Sequence, residues 1–300
     1  MPSGPNTGRS RKTMTPYRDP ALEEELCVAG LDPRAAETAF GHLTGYLREP
    51  LEAIAKTYWE KKETEDVEAQ KRAARAQTAA EVDAYYAQTP QYLYELSYWE
   101  ATRDKQKWLE VLALACRRWG KERVLDFGGG VGGVTLHLRR RGIRCDHLDV
   151  PGNTRDYAGW RFKREGFEAE VLSALEPLPQ ERYDAVIAWD VFEHLFDLDE
   201  AVGRIAKTLK PGGWLISKST FSPSEQHHIH LEKNFIYQAM PVWNELLHRH
   251  GLEFLGQLKP DPLSRLLEKA GIGNRPFGVR VVRRLKHGGN FIVHQKTNKE

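Results

Sequence analysis

The amino-acid sequence predicts a doubly wound α/β domain, built on a mostly parallel sheet and preceded by an α-helical N-terminal cap. Three observations predict it. After Trp119-Gly120, short apolar runs alternate with helical segments, the pattern of repeated βα units. A glycine-rich turn joins the first run to the helix behind it. From Asp32 to about Arg117, by contrast, the pattern is helical.

The helical part reads from its N-terminus. Met1 to Pro20 is rich in Gly, Pro, Ser and Arg and lacks the apolar stretch of a secretion signal, so a flexible tail is expected over 1–20. The cap is expected over 21–118 and the α/β domain over 119–300. Asp32-Pro33 is a helix start signal. Ala36, Ala39, Phe40, Leu43, Tyr46 and Leu47 then recur at three and four residues, on one face. Pro50 kinks this pattern or starts a second helix. Glu65 to Gln88 is rich in strong helix formers with few bulky apolar groups, which predicts a largely solvated helix up to the break at Pro90. Trp108, Leu109, Leu112, Ala115 and Cys116 mark a further amphipathic face.

In the α/β part the first five runs are Arg123–Phe127, Arg144–Val150, Ala169–Leu172, Tyr183–Trp189 and Trp214–Ser217. Val134–Arg141, Thr154–Glu165 and Leu198–Leu209 read as the helices between them, with Pro211-Gly212-Gly213 as a turn. His227 to Asn234 reads as a loop and Tyr237–His250 as a helix. Leu252–Leu258 reads as a strand and Pro262–Ala270 as a short helix. Val279–Leu285 and Asn290–His294 flank His287-Gly288-Gly289, a hairpin turn signal.

Composition narrows the function classes. Hydrophobic residues make up 40% and charged residues 29%, which is globular. Lys and Arg total 44 against 42 acidic residues, a net charge of +2, so no bulk charge draws the chain to nucleic acid or an anionic membrane. Cys27, Cys116 and Cys145 are odd in number and far apart. That excludes a disulfide framework or cysteine zinc site and fits a reducing cytoplasm.

The most informative segment runs from Val124 to Val134 and contains GxGxxG at Gly128, Gly130 and Gly133, between a strand and a helix. Glycine lets the backbone turn tightly and approach a ligand. Asp149 ends the next strand, 21 residues after Gly128, where an acid is expected to bind ribose hydroxyls. Two cofactor classes fit: dinucleotides and S-adenosyl-L-methionine. Asp126, two residues before the first glycine, separates them. Its carboxylate would repel a pyrophosphate but suits a sulfonium and an amino group.

These residues resemble a known family. Asp126-Phe127-Gly128-Gly129-Gly130-Val131-Gly132 is similar to the first motif of class I S-adenosylmethionine-dependent methyltransferases. Tyr183 to Leu195 is similar to their fourth-strand motif, and Leu209-Lys210-Pro211-Gly212-Gly213 to the turn before their fifth strand. The resemblance covers roughly Arg123 to Leu258. It implies a seven-stranded, Rossmann-like methyltransferase sheet, S-adenosyl-L-methionine as cofactor and S-adenosyl-L-homocysteine as product. The cofactor residues it implies are Asp126, Gly128, Gly129, Gly130, Asp149, Val150, Ser173, Trp189 and Asp190. Asp126 and the glycines would hold the methionine part, and Asp149 the ribose. Trp189 and Asp190 would flank the sulfonium. Ser173 stands where the family often has an acid for the adenine amino group.

Acceptor chemistry is expected in the loops after the fourth and fifth strands. Glu193 and His194 follow the fourth strand, and His227, His228 and His230 lie after the fifth. Glu193, His194, His228 and His230 are the candidate catalytic residues, with a histidine as base. No metal is assigned. A sharper alternative takes Asp190, Glu193, His194, His228 and His230 as N and O ligands, resembling the metal-dependent enzymes that methylate 2′-hydroxyls at small-RNA 3′ ends. The aromatic cluster Tyr85, Tyr86, Tyr92, Tyr94, Tyr98 and Trp99 would line the acceptor pocket or form the core of the cap. Arg280, Arg283, Arg284, Lys286 and His287 would form a solvated basic hairpin face or bind a phosphate-bearing acceptor.

The expected protein is a cytoplasmic methyltransferase acting on a small molecule at oxygen or nitrogen, with carbon as a further option. It is expected to bind neither membrane nor nucleic acid, and a homodimer is compatible with it. The rival readings are an RNA methyltransferase with a Glu/His metal site and a non-catalytic partner subunit of the same fold.

Overall fold

The computed structural model describes residues 28–63, 71, 73–88, 91–222, 230–264, 278–282 and 290–297. Its N-terminal helices are α1 (Pro33–Leu47), α2 (Leu51–Glu63), α3 (Ala79–Gln88) and α4 (Gln91–Ala101). The α/β part runs α5 (Arg103–Arg118), β1 (Arg123–Phe127), α6 (Gly133–Arg140), β2 (Arg144–Asp149), α7 (Asn153–Arg164), β3 (Val171–Ser173) and β4 (Tyr183–Trp189). It continues through α8 (Leu198–Thr208), β5 (Leu209–Lys218), α9 (Met240–Arg249), β6 (Leu252–Pro260), β7 (Val279–Val282) and β8 (Ile292–Lys296).

Local chemistry explains the helix starts. The Asp32 carboxylate accepts a hydrogen bond from the Ala35 amide at 2.9 Å, and Pro33 occupies the first turn of α1. Ala36, Ala39, His42 and Leu43 form its buried face. The expected solvated helix over 65–88 is corrected. Residues 64–70 and 72 lie outside the described residues, and the remainder breaks before α3. Thr78 and Glu81 cap the new start. The Glu81 amide donates to the Thr78 hydroxyl at 3.3 Å, and the Glu81 carboxylate accepts from the Gln77 amide at 2.8 Å. α3 is only partly solvated: Ala79, Ala80, Glu81 and Ala84 are exposed, while Val82 packs with Ala76 and Leu231 in a buried cluster.

The sheet order is β3-β2-β1-β4-β5-β8-β6-β7. β3, β2, β1, β4 and β5 pair in parallel, and β8 runs antiparallel between β5 and β6. Two expectations change. Among the described residues the sheet has eight strands rather than seven, because β7 adds to the outer edge of β6. The last two strands are also not partners in a hairpin: β8 lies between β5 and β6, so β7 and β8 sit on opposite sides of β6. The turn at 287–289 lies outside the described residues. Pro211-Gly212-Gly213 is absorbed into β5 at a register shift, where Gly212 takes a φ of 71°.

Apolar layers cover both faces of the sheet. α5 presents Trp108, Leu109, Val111, Leu112, Ala115 and Cys116 to one cluster with Val124, Ala185, Ile187, Ile216 and Val293. By packing, α5 therefore belongs to the sheet layer, although its residues fall in the stretch expected as the cap. Leu198, Val202 and Ile205 of α8 and Leu246 and Leu247 of α9 pack with Leu125, Val186, Ala188 and Leu215 in another cluster. Among the described residues no helix is long and apolar enough to cross a membrane.

The N-terminal helices are tied to this body by charge. Arg161 of α7 is fully buried and forms a two-pronged pair with Glu100 of α4, at 2.6 and 2.7 Å. Its guanidinium also donates to the Val131 carbonyl at 2.7 Å, and its Nε donates to His42 Nδ1 at 3.1 Å. Burial alone would raise the Glu100 pKa, but Arg161 holds it below the usual carboxylate range. Because His42 accepts at Nδ1, its proton sits on Nε2, which donates to Glu165 at 3.0 Å. Burial and the adjacent Arg161 push the His42 pKa down to about 4, so the ring is neutral at pH 7.

Two outcomes follow from this network. Arg161→Met strands the Glu100 carboxylate in the interior and should cost about 3–5 kcal/mol in urea unfolding. The double change Arg161→Met with Glu100→Leu should cost less than Arg161→Met alone, and an equal or larger loss would show that the pair's charge is not what the fold depends on. His42 takes up a proton more readily unfolded, near pH 6.5, than folded, near pH 4. Stability should therefore fall as pH drops from 6.5 to 4. His42→Gln should flatten this fall in urea midpoints measured at both pH values.

Candidate active site

The carboxyl ends of β1, β2, β4 and β5 lie side by side, with Phe127 opposite Leu148, Phe127 opposite Ala188, and Trp189 opposite Lys218. The glycine turn leaves the end of β1 and folds over the end of β2. The amides of Gly128 and Gly129 both donate to the Leu148 carbonyl, at 2.8 and 3.1 Å. Gly128, Gly130 and Gly132 take φ of 69°, 54° and 81°, the left-handed region in which a side chain is strained. Gly129 is constrained differently: a Cβ there would lie 2.5 Å from both Asp126 Oδ2 and His147 Nδ1. The third glycine of the motif, Gly133, makes room for Glu100 of α4, which a Cβ would meet at 3.1 Å.

The two acids of the motif are placed differently. Asp149 Oδ2 accepts from the Gly130 amide at 2.6 Å and Oδ1 from the Val150 amide at 2.7 Å. The carboxylate thus sits at the lip of the turn with Val150, and burial raises its pKa. Asp126 is only 2% exposed and lies beneath the turn, where its Oδ2 accepts from the Thr135 amide at 3.2 Å and the Thr135 hydroxyl at 3.0 Å. One oxygen of Asp126 therefore anchors the start of α6. Ser173 ends β3 opposite Asp149, and its hydroxyl accepts from the Leu175 amide at 3.2 Å.

Across from the glycine turn, Trp189 ends β4 and Asp190 follows it with a φ of 53°. The Asp190 amide donates to the Lys218 carbonyl at 2.7 Å, so this strained residue is held by the sheet and its side chain is exposed. Lys105 of α5 comes to the same place, with its Nζ 3.3 Å from the centre of the Trp189 ring. Burial and nearby Lys218 lower its pKa to about 8, against the pull of Asp190, Asp126 and Glu100. Sequence reasoning missed Lys105. It sits one turn into a helix remote from every motif, with no local signal.

The loops after β4 and β5 meet beside this point. Glu193 and His194 lie in a 3-10 turn, Phe192–His194. Glu193 is buried; its Oε1 accepts from the Thr220 amide at 3.0 Å, while Oε2 has no hydrogen-bond partner. Burial raises its pKa. His230 stands 5.0 Å from His194, ring centre to ring centre, and its Nδ1 donates to the Ser222 carbonyl at 2.8 Å. The structure therefore brings Glu193, His194 and His230 together. His227 and His228 lie outside the described residues.

The aromatic cluster divides. Tyr85, Tyr86 and Tyr92 pack together, and the Tyr86 ring lies 5.6 Å from His194, so this part faces the site. Tyr94 joins Leu43, Leu93 and Tyr157 in a cluster between the N-terminal helices and α7, and Tyr98 stacks on Tyr58. Trp99 points outward. The N-terminal helices also touch the turn directly: a Cβ on Gly130 would meet Leu96 at 2.8 Å, and one on Gly152 the Ala87 backbone at 2.9 Å. Arg280 is exposed on β7, while Arg283, Arg284, Lys286 and His287 lie outside the described residues. A groove of about 750 Å³ lined by Arg117, Lys121, Arg123 and Arg144 opens at the opposite, amino-terminal edge of the strands, away from all of these groups.

A family model for a methyltransferase domain matches residues 98–272, more than half of the chain. The chain belongs to this methyltransferase family. Among curated relatives, it is 28% identical over 156 residues to a ubiquinone biosynthesis O-methyltransferase of Chromobacterium violaceum, covering 51% of this chain and 65% of that one. It is 28% identical over 172 residues to the equisetin synthetase eqxS of Fusarium heterosporum, covering 54% of this chain but 4% of that one. The chain thus spans at most about two thirds of these relatives' lengths. Among solved structures, the 1,6-didemethyltoxoflavin-N1-methyltransferase of Burkholderia thailandensis aligns with a TM-score of 0.41 at 18% identity, over 64% of this chain and 80% of that one.

Gly129→Ala tests the turn. The added methyl group collides with Asp126 and His147, neither of which has room to move. The variant should lose S-adenosyl-L-homocysteine binding by more than about tenfold in calorimetry, a cost of over roughly 1.4 kcal/mol. Wild-type affinity would mean that the turn does not shape the site.

Proposed function

We propose that this methyltransferase uses S-adenosyl-L-methionine to methylate a small-molecule acceptor at oxygen or nitrogen. The observation that carries this reading is the convergence of the strand carboxyl ends, with the glycine turn and Asp149 at the ends of β1 and β2 and the Glu193, His194 and His230 group after β4 and β5.

In this reading Asp149 accepts hydrogen bonds from the ribose hydroxyls, with Val150 beside it, and Ser173 serves the adenine end. Gly128, Gly129 and Gly130 let the methionine portion lie against the backbone. Asp126 acts chiefly from beneath, adding negative potential under the amino and sulfonium groups and holding the start of α6. Lys105 and Lys218 supply the opposite charge for the methionine carboxylate, while Trp189 and Asp190 stand near the sulfonium.

The transfer is an in-line displacement. Bound there, S-adenosyl-L-methionine would supply the methyl group to the acceptor's lone pair, with the carbon–sulfur electrons going to sulfur as a neutral thioether. Alignment supplies much of the rate. The loss of the acceptor's proton falls to the Glu193, His194 and His230 group. The N-terminal helices serve as the cap, with Tyr86 and Tyr92 as an apolar wall above His194.

Calorimetric titration with S-adenosyl-L-methionine, S-adenosyl-L-homocysteine and NAD tests the cofactor. The first two should bind in the micromolar range and NAD should not. Asp149→Ala should weaken that binding by about tenfold or more, the loss of a charge-assisted hydrogen bond. Binding of NAD alone, or unchanged affinity in the variant, overturns the assignment.

A further inference from the structure

The groove at the amino-terminal edge of the strands takes no part in the site described above. It opens between the end of α5, the link from α6 to β2 and the starts of β1, β4 and β5, and it encloses about 750 Å³. That size falls within the roughly 300–1,000 Å³ of small-molecule sites. Seven Lys and Arg side chains line it, against the carboxylates of Glu122 and Asp184.

Four of these cations are committed to carboxylates. Lys210 pairs with Asp184 at 2.8 Å, Arg141 with Glu110 at 3.0 Å and Arg123 with Asp146 at 3.3 Å. Arg182 pairs with Glu170. Arg117, Lys121 and Arg144 have no carboxylate partner among the described residues. Helix ends account for one of the three. Arg117 lies in the last turn of α5 and donates at 2.6 Å to the Arg141 carbonyl at the end of α6, where the helix dipole favours a cation.

Lys121 and Arg144 are left over. Lys121 is half-buried between the Gly212 carbonyl, to which it donates at 3.2 Å, and the Trp214 ring, whose centre lies 4.7 Å away. Burial pushes its pKa down, against the pull of Asp184. Taking an ammonium group partly out of water with no carboxylate paired to it is costly unless an anion meets it. Arg144 is exposed at the first position of β2 and adds a planar fork of donors to the rim. A concave surface lined by one sign of charge concentrates the field inside it and draws the opposite charge.

The lining also limits what that anion can be. Among the described residues its apolar side chains are Cys116 and Ile143, with no aromatic ring to stack on a base. Recognition therefore works by charge and N–H donors, which suit compact groups of negatively charged oxygens. An enclosed groove of this volume fits a small molecule, whereas nucleic acid is met by a basic stripe along a face.

We propose that this groove is a second ligand site, for a compact compound carrying two or more linked phosphates, with Lys121 and Arg144 as its principal contacts. β1 runs from Arg123 at the groove to Phe127 at the glycine turn, so the length of a strand separates the two sites. Occupancy of the groove therefore does not compete with the cofactor.

Calorimetric titration of the full chain with inorganic pyrophosphate and tripolyphosphate, in magnesium-free buffer, tests the site. Each should bind at one equivalent and more tightly than orthophosphate, with the same affinity whether or not S-adenosyl-L-homocysteine is present. Lys121→Gln and Arg144→Gln should each weaken pyrophosphate binding by about tenfold, the loss of a charge-assisted hydrogen bond. Lys163→Gln removes an exposed cation of α7 outside the groove and should change nothing. Variants are compared at wild-type circular dichroism, and the exposed Arg144 carries the test if Lys121→Gln does not fold. Absence of saturable pyrophosphate binding, equal weakening by Lys163→Gln, or displacement of pyrophosphate by S-adenosyl-L-homocysteine overturns the proposal. So does a duplex RNA oligonucleotide that displaces pyrophosphate at a lower phosphate concentration, which assigns the surface to nucleic acid.

Discussion

The arrangement of the site depends on one buried ion pair. Arg161 reaches from α7 across the back of the glycine turn and meets Glu100 of α4, while a further N–H holds the Val131 carbonyl inside the turn itself. A single guanidinium therefore connects the sheet body, the cofactor turn and the N-terminal helices. Burying two charges is costly, and such a pair contributes little net stability compared with apolar packing. What it contributes is geometry. The planar fork accepts one orientation of the carboxylate, so α4 is held at a defined height above the turn. Leu96 and Glu100 then come so close that a Cβ at Gly130 would meet Leu96 at 2.8 Å and one at Gly133 would press on Glu100 at 3.1 Å.

The cleft shows how opposite charges can share a small space. Asp126 sits below the turn, committed to Thr135, and contributes potential rather than a free carboxylate. Asp149 is at the lip, accepting from two backbone amides. Lys105 and Lys218 flank the Trp189 ring on the other side. A zwitterionic, positively charged sulfonium ligand presents a carboxylate, an ammonium and a sulfonium within a few ångströms, and a cleft with both signs of charge complements it better than a uniformly acidic or basic one would.

The βα alternation, the first five strands, the glycine turn and its acid at Asp149 could all be read from consecutive residues. They rest on short-range rules: periodicity, turn chemistry and the fixed length of a βα unit. The grouping of Glu193 and His194 with a histidine after β5 was also anticipated, because parallel strands bring their carboxyl ends to one edge. The failures are of another kind. The order of β6, β7 and β8 depends on which strand edge stays open after β5 is placed, and hairpin-like turn residues misled there. The continuous solvated helix was misread because Thr78 and Glu81 start a new helix at residue 79, and because Val82 finds its partners in Ala76 and Leu231, the latter nearly 150 residues away.

By itself, then, the sequence determined that this chain folds as a doubly wound domain with a glycine turn and two acids at its first two strand ends. Those features need only neighbours along the chain. Tertiary structure alone decided that Asp126 lies beneath the turn, that Lys105 comes over the Trp189 ring, that Arg161 ties the N-terminal helices to the turn, and that Ser222 and Asn234 hold His230 and the turn of Glu193 and His194. Each of these is a contact between groups far apart in sequence. Its energy comes from burial and hydrogen-bond geometry that exist only once the sheet has brought the partners together.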